Sequence, residues 1–296
     1  MKTILVLTDF SLRAAHAAHY ALRLAQKINA NLLLCNVFHV PSREAAAAQV
    51  TWPAEDFAIM EKTSCHDLRE LVGRLNRQLK ADQVEGGFNP LITYCAKTGS
   101  LAEVMNEIVY TQDILMAVVS MHEGTGLNTF LLGNHTREII EKADCPVLVV
   151  PYQVPFKPFS RIAFATDLSH NSIDVVHCLA GLARYTNSEI LITHVADQGA
   201  SDAEEHSVIK KYFNQVAAQV KYPNIYYRAV KSRSIVNGLD WLTENSDIDM
   251  LVLVHRKRNF LERIFEGSVT QKMAEHTTTP MLVFPSSRVL ETLPVF

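Results

Sequence analysis

Ile4-Leu-Val-Leu-Thr-Asp-Phe-Ser11 returns 158 residues later as Ile162-Ala-Phe-Ala-Thr-Asp-Leu-Ser169. Apolar residues running without a break into Thr-Asp-x-Ser read as a strand buried on both faces, then a turn whose serine opens a helix. Such a pattern occurring twice makes the chain a tandem repeat. Working outward, Leu33-Leu-Cys-Asn-Val37 falls on Leu191-Ile-Thr-His-Val195 at the same offset. Further on, Gly133 matches Gly267 and Pro146-Val-Leu-Val-Val-Pro151 matches Pro280-Met-Leu-Val-Phe-Pro285, both at an offset of 134. The first copy therefore holds 158 − 134 = 24 extra residues, expected in Pro41–Lys62, where Pro, Ala and Glu dominate and no strand pattern appears.

Each copy reads as alternating strands and helices. The first copy predicts strands at about 2–8, 32–38, 89–95, 114–119 and 146–150, with amphipathic helices at 12–29, 57–80, 101–111 and 135–143. Ser11, Ser100 and Asn134 are the expected N-caps. The second copy predicts strands at 161–166, 189–195, 225–230, 249–254 and 281–284 and helices at 170–186, 202–220, 233–245 and 268–277, with Ser169, Ser232 and Ser268 near their starts. Strand–helix alternation of this kind gives an open, doubly wound α/β sheet. The domains are expected at 1–151 and 160–285, joined by a short, stiff link at 152–159 among Pro151, Pro155 and Pro158, with a tail at 286–296.

At 296 residues the chain has room for two domains, each able to bury a core. A formal net charge of −3 argues against a nucleic-acid or anionic-membrane binder. The five cysteines (Cys35, Cys65, Cys95, Cys145 and Cys178) are scattered and form no CxxC pair, so reduced thiols are expected rather than a disulfide framework or a zinc ribbon. Ile4–Leu7 is too short for a signal segment and is followed by Asp9, and no run approaches the roughly 18 apolar residues of a membrane span. The expected location is the cytoplasm.

In an open parallel sheet, ligands bind beyond the carboxyl ends of the strands where strand order reverses. Thr8 and Asp9 arrive there in the first copy, Thr166 and Asp167 in the second, together with the turns Ser120–Gly126 and Val254–Arg258. The helix starts at Gly133-Asn134 and Gly267-Ser268 reach the same end, where backbone N–H groups and the helix dipole favour an anion.

These residues carry a resemblance. Thr8-Asp-Phe-Ser11, Val37 at the end of the second strand and Pro146-Val-Leu-Val-Val150 are similar to the universal stress protein family, and the likeness runs through both copies. It implies a five-stranded parallel sheet in the order 3-2-1-4-5, and final strands that pair edge to edge between subunits or between the halves of a tandem chain. Many members bind ATP and others bind no nucleotide. On that resemblance Asp9 and Asp167 match the adenine-contacting Asp, and Val37 and Val195 the base-facing Val. The ATP-binding members resemble one another in a loop written Gly-x-x-Gly-(nine residues)-Gly-Ser/Thr. Here Ser120 and Glu123 stand at the first two glycines, before Gly133 and Asn134. In the second copy Val254 and Lys257 stand there, before Gly267 and Ser268. Glu123 sets a carboxylate where a triphosphate would lie, a repulsion worth several kcal/mol at low dielectric, although Gly124 and Gly126 offer a shifted loop. His255, Arg256, Lys257 and Arg258 either meet phosphate or form a solvated basic turn opposite Glu262 and Glu266.

Other constellations carry less. His16 and His19 lie one turn apart with no third ligand, Cys65-His66 is a lone pair, and nothing beside Cys145 would activate its thiol. There is no Gly-x-Ser-x-Gly elbow, Walker A lysine, His-Glu-x-x-His or paired carboxylate. The expectation is a non-enzymatic stress-response or regulatory protein that binds an adenine nucleotide through degenerate phosphate loops, with no metal beyond nucleotide-associated magnesium. The alternatives are a nucleotide-free interaction scaffold and a slow ATP hydrolase. The expected partners are the nucleotide and a second copy in a homodimer, with the last strands pairing within the chain.

Overall fold

The computed structural model describes residues 1–38, 54–82, 87–121, 134–152, 154–170, 172–196, 202–255 and 279–285. In the first half the order is β1 (Thr3–Leu7), α1 (Leu12–Ile28), β2 (Asn31–Phe38), α2 (Ala54–Ala81), β3 (Ile92–Thr98), α3 (Leu101–Thr111), β4 (Ile114–Ser120), α4 (Asn134–Lys142) and β5 (Val147–Val150). The second half runs β6 (Arg161–Ala165), α5 (Ser172–Thr186), β7 (Glu189–Ala196), α6 (Asp202–Gln219), β8 (Ile225–Lys231), α7 (Ile235–Asn245), β9 (Met250–Val254) and β10 (Met281–Phe284). The helix expected at 268–277 lies outside the described residues.

All ten strands form one sheet in the order β3-β2-β1-β4-β5-β10-β9-β6-β7-β8. Each half is the order 3-2-1-4-5 with parallel neighbours, and the two closing strands, β5 and β10, pair antiparallel. At that junction Met281 faces Val149, Leu282 faces Leu148 and Val283 faces Val147. Under the repeat offset of 134, Leu148 and Leu282 are the same position. The first and third pairs are one pair with its members exchanged. An approximate two-fold axis therefore passes through the Leu148–Leu282 pair.

Because successive strand residues face opposite ways, two apolar layers form. Ile4 and Val6 of β1, with Ile162 and Phe164 of β6, join residues of α1, α2, α5 and α6 on one side. Leu5 and Leu7, with Ala163 and Ala165, join residues of α3, α4 and α7 on the other. Both layers run across the β5–β10 junction. The link between halves lies against α1: His16 donates from Nε2 to the Val154 carbonyl at 2.9 Å, and Phe156 stacks edge-on between Tyr20 and Phe159.

One expectation needs correction, and the structure adds detail to two others. The strand expected at 89–95 is β3 at 92–98, because the apolar count overlooked an edge strand half open to solvent. Its start is set where Leu91 donates to Asn31 Oδ1 and accepts from the Leu32 N–H. The extra residues expected in Pro41–Lys62 lie partly in a helix, since α2 begins at Ala54 and has 28 residues against 18 in α6. Among the caps, Ser11 accepts from the Ala14 N–H at 3.1 Å as expected. Ser100 occupies the cap position without a side-chain hydrogen bond. α7 is capped by Ser234, bonded to the Asn237 N–H, and Ser232 lies two residues earlier.

Candidate functional site

The Thr-Asp-x-Ser turns have the same geometry in both halves. Thr8 Oγ1 accepts from the Phe10 N–H at 3.1 Å and Asp9 Oδ1 from the Ser11 N–H at 3.0 Å. Thr166 Oγ1 accepts from the Leu168 N–H at 3.1 Å and Asp167 Oδ1 from the Ser169 N–H at 3.1 Å. Phe10 and Leu168, neither of them glycine, hold φ of 64° and 61°. A large L-residue in the left-handed region costs about 1 kcal/mol or more. The paired side-chain bonds hold that strain, and they set each aspartate at the exposed end of its strand. The strand alongside contributes a further tie. Asn36 donates to the Thr8 carbonyl at 2.7 Å and accepts from the Ser64 hydroxyl, whereas His194 at the same repeat position donates from Nδ1 to the Thr166 carbonyl at 3.0 Å.

In the second half these turns open onto a cleft of about 160 Å³ lined by Ala165, Thr166, Asp167, Thr193, His194, Val195, Ile235, Leu239 and Val254. β6, β7 and β9 supply one wall with their carboxyl ends, and the first turns of α7 supply the other. The walls are mainly apolar, and the polar lining residues (Thr166, Asp167, Thr193 and His194) all come from the strand side. Gly238 brings α7 close to this wall, since a β-carbon there would meet Val195 Cγ1 at 2.7 Å.

The first half has the same frame, with larger side chains at Leu7 and Val104 and similar-sized ones at Cys35 and Met105. Leu7 stands where the second half has Ala165, Cys35 where it has Thr193, Val104 where it has Gly238 and Met105 where it has Leu239. All four are buried in the apolar layer between β1, β2 and α3. At the rim, Ser120 gives its carbonyl to the Thr136 hydroxyl of α4 at 3.5 Å, which ties the first turn of that helix over the end of β4.

The universal stress protein family profile matches residues 1–151 and again 158–285. The chain belongs to the universal stress protein family. A universal stress protein of Synechocystis sp. is 22% identical over 298 residues, covering 96% of this chain and 100% of that protein. Among solved structures, a universal stress protein from Archaeoglobus fulgidus superposes with a TM-score of 0.66 at 14% identity, covering 96% of both chains. The cytoplasmic domain of a prokaryotic cation chloride cotransporter has a TM-score of 0.55 at 10% identity, covering 99% of this chain and 98% of that one. Likeness at these identities speaks for the tandem fold alone.

Of the residues singled out in this universal stress protein from sequence, Thr166, Asp167 and Val195 come together in the cleft. Thr8 is buried beneath its turn, Asp9 is exposed, and Val37 packs at the margin of the apolar layer. Asn134 begins α4. Gly133, Lys257, Gly267 and Ser268 lie outside the described residues, as do Glu123 and the Arg256–Arg258 turn. Sequence reasoning missed Ala165, Thr193, His194, Ile235 and Leu239 as cleft residues. The first three stand in the repeated blocks and were within reach had the offset been read residue by residue. Ile235 and Leu239 belong to a helix whose apolar face looks the same whether it meets core or ligand. Among the described residues no group of three or more His, Cys, Asp and Glu could hold a metal, and no helix is long and apolar enough to cross a membrane.

Proposed function

We propose that the chain is a non-enzymatic regulatory protein that binds one adenine nucleotide per molecule, in the second half. The observation that carries this reading is the cleft at the carboxyl ends of β6, β7 and β9, where Asp167 and Val195, the two positions the family resemblance gives to the base, line one apolar slot. At about 160 Å³ it is smaller than the roughly 300–1,000 Å³ of pockets that engulf a drug-sized ligand, and so suits a single heterocycle with its sugar and phosphates directed outward. Asp167 would accept from the exocyclic amine, and the aliphatic walls would cover the ring faces. The larger Leu7 and Val104 would, in this reading, fill the equivalent space of the first half, which would serve as a structural partner. In this reading the domains span 1–151 and 160–285, with the link at 152–159 holding them side by side.

Isothermal titration of ATP, ADP and AMP into protein stripped of ligand tests the proposal. The expected result is one site per chain, with affinity lowered at least about tenfold by Asp167→Asn and abolished by Ala165→Leu, which installs the first half's residue. No binding tighter than about 1 mM, roughly −4 kcal/mol, would overturn it and favour the interaction scaffold.

A further inference from the structure

We propose that Cys35 and Cys95 form a reversible disulfide-forming pair, a peroxide-reactive site in the first half that the second half lacks. The two residues are direct partners across the parallel β2–β3 ladder. Both side chains belong to the layer facing α3, Cys35 fully buried and Cys95 half-buried at its margin. Adjacent strands lie about 4.8 Å apart, which falls within the 4.4–6.8 Å separation of α-carbons that a disulfide bridges. Directly paired residues on parallel strands send their β-carbons side by side, so the bridge closes with some strain. A strained bridge is the readily reduced kind.

The surroundings assign the two sulfurs different roles. Pairing with the Cys95 thiol pushes the Cys35 pKa up, and burial pushes the same way. The same pairing, with Lys97 two residues along the strand, brings the Cys95 pKa below that of an ordinary thiol. The accessible sulfur is therefore also the better thiolate. Lys97 is itself held by Glu107 of α3 at 3.2 Å. By contrast, Cys145 and Cys178 are buried and pushed up to about 12 by that burial.

The chemistry balances with hydrogen peroxide as the two-electron oxidant. The Cys95 thiolate attacks one peroxide oxygen and the O–O bond breaks, leaving a sulfenic acid on Cys95 and releasing hydroxide, which takes a proton to become water. The Cys35 sulfur, giving up its proton, then attacks the Cys95 sulfur. The S–OH bond breaks and a second water leaves. Two thiols and one peroxide become one disulfide and two waters. At the equivalent place the second half pairs Thr193 with Arg228, and no such step exists there.

Exposure of the full chain to a small excess of hydrogen peroxide, thiol blocking and non-reducing peptide mapping by mass spectrometry test this directly on the unmodified sequence. Expected are a loss of two of the five thiols, a mass lower by about 2 Da, and a peptide linking Cys35 to Cys95 that disappears on reduction. Cys35→Ser should leave Cys95 as a sulfenic acid trapped by dimedone, while Cys65→Ser should change nothing. Thiols consumed without the Cys35–Cys95 peptide, a bridge between two chains, or Cys95 left reduced while Cys145 or Cys178 oxidises would each overturn the proposal.

Discussion

A β-carbon on Gly238 would stand 2.7 Å from Val195 Cγ1, 3.0 Å from Val195 Cγ2 and 3.3 Å from Ser232 Cβ, so the glycine lets α7 approach the wall of the cleft. Gly238→Ala gains about 0.5–1 kcal/mol of helix propensity and loses about 1–3 kcal/mol to overpacking. The net loss of stability should stay below about 2.5 kcal/mol. The displaced Val195 should nevertheless lower nucleotide affinity tenfold or more, which titration beside denaturant unfolding can separate. Asp240, two residues on, supplies a pH dependence: burial, with Glu244 one turn away, pushes its carboxyl up to about 6 from 3.8. Between those values the folded chain holds a proton that the unfolded chain releases, so this group makes stability fall as pH rises from about 4 to about 6. Asp240→Asn should flatten that slope. Because the group is only partly buried and solvent screens it, the gain at pH 7 should be under about 1 kcal/mol, read from unfolding curves at pH 4 and pH 7.

At the scale of elements the sequence was most legible where a strand is buried on both faces. β1, β4, β6 and β10 lie within about two residues of their expected bounds because their continuous apolar runs have no other reading. β3 was misplaced by three residues because its outer position leaves Thr93, Lys97 and Thr98 at the sheet's margin, where polarity is tolerated and the apolar signal ends early. Helix starts were legible only to within a turn, since serine clusters offer more than one cap. Ser232 and Ser234 both stood before α7, and only the second sits where its hydroxyl reaches the N–H of Asn237. The caps can be ranked by experiment. Ser11→Ala and Ser234→Ala should each cost about 0.5–2 kcal/mol, whereas Ser100→Ala, with no side-chain bond to lose, should lie within about 0.5 kcal/mol of the parent. Equal losses at all three in thermal unfolding would contradict the ranking.

For the whole molecule, the repeat offsets foretold the tandem α/β architecture and Thr166, Asp167 and Val195 among the nine cleft residues, but not the contrast between the halves that the proposed function draws. Thr-Asp-x-Ser and the strand-end valines are the same in both copies, and the difference lies in Ala165, Gly238 and Leu239 against Leu7, Val104 and Met105, positions that read from sequence as ordinary core. The junction of the halves has a mechanical consequence. Leu148 and Leu282 face each other on the approximate two-fold axis, almost wholly buried at 1% and 0% exposure, and the layer they join contains α1 and α5 together. Neither half can loosen its closing strand without exposing the other's. Leu282→Ala should therefore cost about 2–5 kcal/mol, the range for a buried leucine left as a cavity. That loss should appear in both halves as faster amide exchange in β4 and β5 as well as in β9 and β10. Hydrogen exchange resolved by mass spectrometry distinguishes the outcomes: acceleration confined to residues 250–284 would mean that the halves unfold independently, and acceleration reaching 114–150 would mean that the ten-stranded sheet responds as one body.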